Sequence, residues 1–311
     1  ELWAAQSRAE APHVLLGGDT RGSSPTLVSW MTEGLLAAGV RTLDLGTVPT
    51  PAVAFSVPRA GAAAGVVASA SHNPAKDNGI KLIDPQGFKW SSAAEWRLEE
   101  SLEAAATGEG GAEPSTVRAA DPAAKSRYLE WLIEDAGGPR ALAGLRIALD
   151  TANGAASELA GDLFSELGAD VELHFASPDG SNINENCGST HPESLAARLA
   201  SGDFHLGFAF DGDADRALLL DERGRLQDGD AMLYLWAREL RLRGELDPAQ
   251  IVATSMSNLG LDRALASLGI EVVRCDVGDR AVVETLRSRG LRLGGEQSGH
   301  LVDLHRSTTG D

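Results

Sequence analysis

The sequence predicts an α/β protein of three similar domains in tandem, each a mixed sheet between helices. Three observations carry that expectation. A unit of strand, polar turn, helix, Gly and strand occurs three times along the 311 residues. Strands alternate with helices, the pattern of largely parallel pairing. The length leaves room for two or three hydrophobic cores.

In the first copy, His13-Val-Leu-Leu16 reads as a strand that breaks at Gly17-Gly-Asp-Thr20. A helix is expected over 26–38 and a second strand over Gly39-Val-Arg-Thr-Leu-Asp-Leu45. The second copy runs from Arg146-Ile-Ala-Leu149 through the turn Asp150-Thr-Ala-Asn-Gly154. A helix over about 155–167 follows, then the strand Gly168-Ala-Asp-Val-Glu-Leu-His174. The third begins at Ile251-Val-Ala-Thr254, turns at Ser255-Met-Ser-Asn258, continues as a helix to Leu268 and ends on Gly269-Ile-Glu-Val-Val-Arg274. Composition shifts at the loop Gly108-Glu-Gly-Gly-Ala-Glu-Pro114, before an amphipathic stretch over 125–135. It shifts again where Asp228-Gly-Asp230 opens a helix to about Arg243. The expected domains are therefore 1–125, 126–228 and 229–311.

The totals exclude several classes. A net charge of −18 argues against a nucleic-acid binder, which needs basic stripes to neutralise phosphates. No apolar run approaches membrane-spanning length, and no signal-peptide pattern opens the chain. Cys187 and Cys275 are far apart in sequence without a CxxC motif, which favours a reducing compartment. The chain starts without Met and stops at Thr308-Thr-Gly-Asp311, so it is treated as a candidate fragment.

Chemistry concentrates in three stretches. Asp211-Gly-Asp-Ala-Asp-Arg216 places three carboxylates at alternate positions between two strand-like runs. Oxygen-only ligands suit Mg²⁺ or Ca²⁺, and a bound dication is a natural way to keep three crowded aspartates ionised. An EF-hand also starts Asp-x-Asp-x-Asp, and Glu222 falls at its twelfth position, but Arg216 stands where that loop needs Gly. A solvated acidic turn is the other alternative. The second stretch, Ser69-Ala-Ser-His-Asn-Pro74 followed by Asp77-Asn-Gly-Ile-Lys81, holds a serine at the tip of a small-residue strand. Ser71 lacks the Gly-x-Ser-x-Gly register of a hydrolase elbow, and the adjacent His72 points away from it. A phosphoryl-carrying serine fits better, with Lys81 and a metal supplying positive charge; a simple capping serine is the alternative. The third stretch, Gly294-Gly-Glu-Gln-Ser-Gly-His300, offers Glu296, Ser298 and His300 to sugar hydroxyls, or is only a tight turn. Arg21, Arg216 and Arg280 each follow an Asp in a turn, where surface ion pairing is the common fate.

Taken in this order, the three motifs resemble those of the α-D-phosphohexomutases, over nearly the whole chain. Within that superfamily the phosphoglucosamine mutase branch is suggested by Gln297, by Asn182-Ile-Asn184 with Cys187-Gly-Ser-Thr-His-Pro192, by Met256-Ser-Asn-Leu-Gly260 and by Val277-Gly-Asp-Arg280. The resemblance implies α/β domains around a central cleft, with the family's fourth domain and N-terminal Gly-Thr-Asp-Gly-x-Arg-Gly stretch absent from this sequence. It also notes Gly18 where the family usually has Arg. It implies a cytoplasmic enzyme that interconverts glucosamine 6-phosphate and glucosamine 1-phosphate, with a bisphosphorylated sugar as intermediate and activator. One Mg²⁺ would be held by Asp211, Asp213 and Asp215 against phosphorylated Ser71. Lys81 or His300 would move the proton; Glu296, Ser298 and Arg280 would bind substrate; Arg21, His72 and Arg216 would line the cleft. A homodimer is implied by the branch alone. A phosphomannomutase/phosphoglucomutase, or a phosphosugar-binding remnant without turnover, are the rival expectations.

Overall fold

The computed structural model describes residues 12–105 and 119–311; the Gly108–Pro114 loop lies outside them. The first unit runs β1 (His13–Gly18), α1 (Ser24–Ala37), β2 (Arg41–Thr47), α2 (Thr50–Arg59), β3 (Ala64–Ala68), β4 (Ile80–Ile83), α3 (Ser92–Ala105) and β5 (Ala119–Ala120). Helix α4 (Ala124–Asp135) leads to the second: β6 (Arg146–Asp150), α5 (Ala160–Glu166), β7 (Asp170–His174), α6 (Glu193–Ala200), β8 (Leu206–Phe210), β9 (Ala217–Asp221) and β10 (Leu226–Gln227). The third comprises α7 (Gly229–Leu242), β11 (Gln250–Thr254), α8 (Leu259–Ala266), β12 (Glu271–Cys275), α9 (Asp279–Arg289), β13 (Leu293–Gly295) and β14 (Leu301–Asp303).

Each unit carries one sheet, and the sheets are ordered β4-β3-β1-β2-β5, β10-β9-β8-β6-β7 and β12-β11-β13-β14. One pattern recurs. The first strand of a unit lies between its second and third, parallel to both, and the fourth pairs antiparallel with the third. The sheets are therefore mixed, as expected. The repeat legible in the sequence is the first strand, helix and second strand. The third and fourth strands form a hairpin in every unit, and the three chemistry-bearing stretches are the loops of those three hairpins.

Local chemistry explains the elements. The central strands β1, β6 and β11 are apolar on both faces because helices cover both sides; Leu15, Leu16, Ile147, Leu149, Ile251 and Val252 are buried. Each such side chain contributes roughly 1.5–3 kcal/mol when fully buried. The Asp228 carboxylate caps α7 by accepting Ala231 N–H at 3.1 Å, and the Asn258 side chain caps α8 by accepting Gly260 N–H at 2.7 Å. Helix α9 stops at Gly290 in the left-handed conformation (φ 64°). Helix α4 contributes Ala124 and Tyr128 to the core beneath α2.

Two expectations are corrected in detail. The helix expected over 155–167 is a 3-10 turn over Ala155–Glu158, closed by Ser157 N–H to Gly154 O and Leu159 N–H to Ala156 O, both at 3.0 Å, followed by α5. The acidic stretch joins two antiparallel strands and is flanked by no helix, which rules out an EF-hand. At Gly18 a Cβ would lie 3.2 Å from both Ala68 O and the Ser24 Cβ, a tight approach that a side chain could take only if those neighbours moved by a few tenths of an ångström.

Leu159 of unit two packs into the unit-one core, and polar contacts join the units as well. Thr20 Oγ1 donates to Asn153 O at 2.5 Å and Gly22 N–H to Gly180 O at 2.8 Å, joining units one and two. Ala217 N–H donates to Gly299 O at 3.1 Å, joining two and three. Thr308 Oγ1 donates to Gly87 O at 2.6 Å, joining three and one. No helix among the described residues is long and apolar enough to cross a membrane.

Candidate active site

The serine loop follows β3. Ser71 has φ 51°, a left-handed conformation unusual for a side-chain-bearing residue, and its N–H donates to Ser69 Oγ at 2.9 Å. Two groups then pin the loop. The Arg21 guanidinium donates to Ser71 O at 3.2 Å and to Asn73 O at 2.6 Å. The Asn184 amide, from unit two, donates to the same two carbonyls at 2.9 and 3.0 Å. So held, Ser71 Oγ donates to Asp211 Oδ2 at 2.5 Å, across the boundary between units. It does not act as a helix cap.

The acidic loop is buried and tightly fitted. Asp211 and Asp213 are fully buried and Asp215 nearly so, which excludes a solvated acidic turn. Gly212 is required here: a Cβ would sit 2.6 Å from Ser71 O and 2.8 Å from Asn184 Nδ2. Asp213 Oδ2 accepts from the Thr50 hydroxyl at the start of α2 and from Lys81 Nζ. Lys81 also reaches Asp215 Oδ2, at 2.9 Å. Lys89 donates to the same Asp215 oxygen at 2.8 Å and to Asp279 at the start of α9. His300 Nδ1 lies 3.7 Å from Asp215 Oδ1, while its Nε2 accepts Gly310 N–H at 3.2 Å.

These contacts set the electrostatics. Burial, with Asp213 and Asp215 alongside, pushes the Asp211 carboxyl up to about 8, against the opposing pull of Lys81 and Ser71. Burial would raise Asp215 too, but Lys81 and Lys89 hold it well below the usual carboxylate range. Burial alone would lower Lys81, yet the surrounding Asp213, Asp215 and Asp211 raise it above the ordinary lysine value. The surroundings of Lys81 are thus carboxylates rather than the cations that would depress it. Burial and the nearby Arg216 lower His72.

Asp211 makes the site pH-dependent. Its folded value lies above the unfolded carboxylate value, so its contribution to stability is fully present below the unfolded value and is lost as pH rises through about 8. Metal-free wild type is expected to lose stability between roughly pH 5 and 8 relative to Asp211→Asn, which has no proton to release there. Thermal melting of both proteins across that range checks this, and parallel curves would reject it.

The acidic loop fits a hard cation. Oxygens of Asp211, Asp213 and Asp215 lie within 4.8 Å of one another, and Asp213 Oδ1 is buried without a hydrogen-bond partner. A dication of the Mg²⁺ type would satisfy that orphan and neutralise the crowded charge.

The remaining predicted residues are distributed around this centre. Glu296 is buried and accepts Gly278 N–H at 3.0 Å. Ser298 Oγ is buried without a partner, as is Arg216 Nε. Arg280 pairs with Glu95 of α3 across the cleft. Arg21 is only 2% exposed; besides the two carbonyls, its guanidinium binds Asp19, so it positions the serine loop. A cavity of about 890 Å³ opens between units one and three, lined in part by Trp90, Lys89, Asp279, Arg280 and His300. A second, of about 490 Å³, adjoins it and reaches Lys81 and Gly278.

Asn184, Thr50, Lys89 and Asp279 escape the sequence reading as site residues. Asn184 lies in the Asn182-Ile-Asn184 stretch, where a buried asparagine with positive φ (59°) is the only local signal. Asn184→Ala is expected to keep the fold and lower kcat roughly tenfold to a hundredfold through a misplaced serine loop. Steady-state kinetics with a melting curve checks it; unchanged kcat would remove Asn184 from the site.

Comparison with known proteins decides the family. The chain matches phosphoglucomutase/phosphomannomutase alpha/beta/alpha domain I over residues 2–109, domain II over 126–224 and domain III over 228–311. It is 45% identical to a phosphoglucosamine mutase of Halalkalibacterium halodurans, over 97% of this chain and 67% of that protein. The chain belongs to the phosphoglucomutase/phosphomannomutase family. A phosphoglucosamine mutase of Gluconacetobacter diazotrophicus is 49% identical, over 96% of this chain and 66% of that one. The chain thus spans about two thirds of the length of these curated relatives. Among solved structures, a phosphoglucomutase/phosphomannomutase family protein from Burkholderia thailandensis superposes with a TM-score of 0.82 at 30% identity, covering 96% of this chain and 66% of that one. An Aspergillus fumigatus N-acetylphosphoglucosamine mutase, solved with GlcNAc-6P and magnesium, shares the fold at 21% identity and a TM-score of 0.57, covering 81% of this chain and 63% of that one.

Proposed function

We propose that this chain carries the phosphoserine, metal and sugar loops of a mutase that interconverts glucosamine 6-phosphate and glucosamine 1-phosphate. The observation that carries the reading is Ser71 Oγ at 2.5 Å from Asp211, a hydroxyl of one unit seated on the acidic loop of the next. Relatives named phosphoglucosamine mutase at 45–49% identity support the substrate class.

Ser71 carries a phosphoryl group in the active form. As the sugar hydroxyl oxygen bonds phosphorus in line, the bond from phosphorus to Ser71 Oγ breaks. The hydroxyl proton is taken up by a base and ends on Ser71 Oγ, so no net proton is consumed. Lys81 and His300 are the two candidate bases: the carboxylates around Lys81 hold its ammonium protonated, so it must release a proton before it can accept one, while His300 Nε2 accepts Gly310 N–H and its other nitrogen faces Asp215. The bisphosphate formed turns over in the cleft and returns its other phosphate to Ser71. Glu296 and Ser298 hold sugar hydroxyls in either orientation; Ser298 Oγ is buried without a protein partner. Arg280 and Arg216 offset substrate phosphate, with His72 close to Arg216. Mg²⁺ held by Asp211, Asp213 and Asp215, when bound, offsets the charge of the transferring phosphoryl oxygens. A bisphosphorylated sugar serves as activator. The same reading includes a cytoplasmic location and a homodimer, both resting on likeness to the family.

A panel of glucosamine, glucose and mannose 1-phosphates, with Mg²⁺ and glucose 1,6-bisphosphate, tests the assignment. Glucosamine 1-phosphate is expected to give the highest kcat/KM. Faster turnover of glucose or mannose 1-phosphate would move the chain to the phosphomannomutase/phosphoglucomutase activity. No turnover of any of them, with phosphosugar binding intact, would make it a binding protein.

A further inference from the structure

Lys89 has no part in the scheme above, yet it touches all three units. It belongs to unit one, following β4, and is held there by a bridge to Ile83. Its ammonium binds Asp215 of the acidic loop at 2.8 Å and Asp279 at the first turn of α9. Its side chain is 11% exposed, and what remains open faces both cavities, since Lys89, Asp279, Arg280 and Glu284 line each of them. It stands at the partition between the two spaces, beside Arg280 and close to His300.

Charge counting gives this position a meaning. Three buried carboxylates of the acidic loop face two lysines, Lys81 and Lys89, and Lys89 uses the same Asp215 oxygen that Lys81 does. A dication drawn to Asp211, Asp213 and Asp215 competes with both lysines for the charge of Asp215. Two cations sharing one carboxylate with a third repel each other strongly in a buried site. Both acceptors of Lys81 belong to the acidic loop, whereas Lys89 can leave Asp215 and still keep Asp279, which lies outside that loop, with open cavity next to it.

We propose that Lys89 is a placeholder cation: it fills the metal loop while the metal is absent and, displaced from Asp215 by the metal, becomes a binding group for a phosphate of the sugar substrate in the adjoining cavity. The proposal rests on the cation reading of the acidic loop. It assigns Lys89 to the recognition of a phosphomonoester dianion and makes phosphate recognition conditional on metal occupancy.

Calorimetric titration of the metal-free protein with Mg²⁺ separates the two readings. Wild type that binds no Mg²⁺ overturns the cation reading, and the proposal with it. If wild type binds, Lys89→Met is expected to bind Mg²⁺ roughly tenfold more tightly, because a competing charge has gone, whereas Lys89→Arg stays near wild type. Asp279→Asn, which leaves Lys89 to Asp215 alone, is expected to bind it more weakly. Equal or weaker Mg²⁺ binding by Lys89→Met overturns the placeholder role. Glucosamine 6-phosphate is then titrated with and without Mg²⁺. In wild type Mg²⁺ strengthens its binding; in Lys89→Met that gain shrinks by roughly tenfold, and Lys89→Arg restores it. A gain undiminished in Lys89→Met overturns the hand-over to phosphate. A purely structural lysine would lower melting temperature without tightening Mg²⁺ binding.

Discussion

Ser71→Ala is expected to lose at least about a thousandfold in kcat, the scale of removing a covalent catalytic group. The fold should persist, because the serine loop is held by its backbone. Arg21 and Asn184 bind the carbonyls of residues 71 and 73, and the Ser71 N–H binds Ser69. None of these contacts involves the hydroxyl that the substitution removes. Intact-mass measurement supplies the second readout: wild type isolated in its active form should carry one phosphate, and Ser71→Ala none. Equal turnover by the two proteins would end the phosphoserine mechanism, whatever the family.

Asp213→Asn is expected to cost at least about a hundredfold in Mg²⁺ affinity and to abolish measurable turnover. Asp213 is fully buried, has one oxygen without a partner and ties the acidic loop to Thr50 and Lys81. An amide keeps the shape but withdraws the charge that both the metal and Lys81 need. Stability is also expected to fall, since Lys81 is left with less compensation in a buried setting. Titration with Mg²⁺ measures the first effect and a chelator series on wild type provides the reference. Wild-type Mg²⁺ affinity in Asp213→Asn would exclude this carboxylate as a ligand.

The sequence made some of this visible. The repeated first strand, helix and second strand could be read because apolar β runs broken by polar turns and followed by Gly are local signals. Ser71 and the three aspartates stood out because small residues around them leave only polar groups to explain. The hairpin shared by all three units did not stand out as a repeat, because Ile80–Ile83, Ala217–Asp221 and Leu301–Asp303 have little in common as strings. Asn184, Thr50, Lys89 and Asp279 were silent for a different reason. Each acts on a residue of another unit, so its role is fixed by docking; Asn184 and Asp279 lie in stretches that mark the branch, but nothing local in them says what those side chains bind. Lys89 sits in Asp84-Pro-Gln-Gly-Phe-Lys89, which by itself is the description of a turn.

The three hairpin loops also have a mechanical side. Each rides at the rim of its own sheet, so a small rotation of one unit sweeps its loop tip through a longer arc, as at the end of a lever. The hydrogen bond from Ser71 to Asp211 tolerates only a fraction of an ångström of such travel. Thr20 with Asn153, and Gly22 with Gly180, then work as dowels that keep two plates in register. Wear at those dowels would read at the bench as a catalytic defect, although neither pair need meet a substrate.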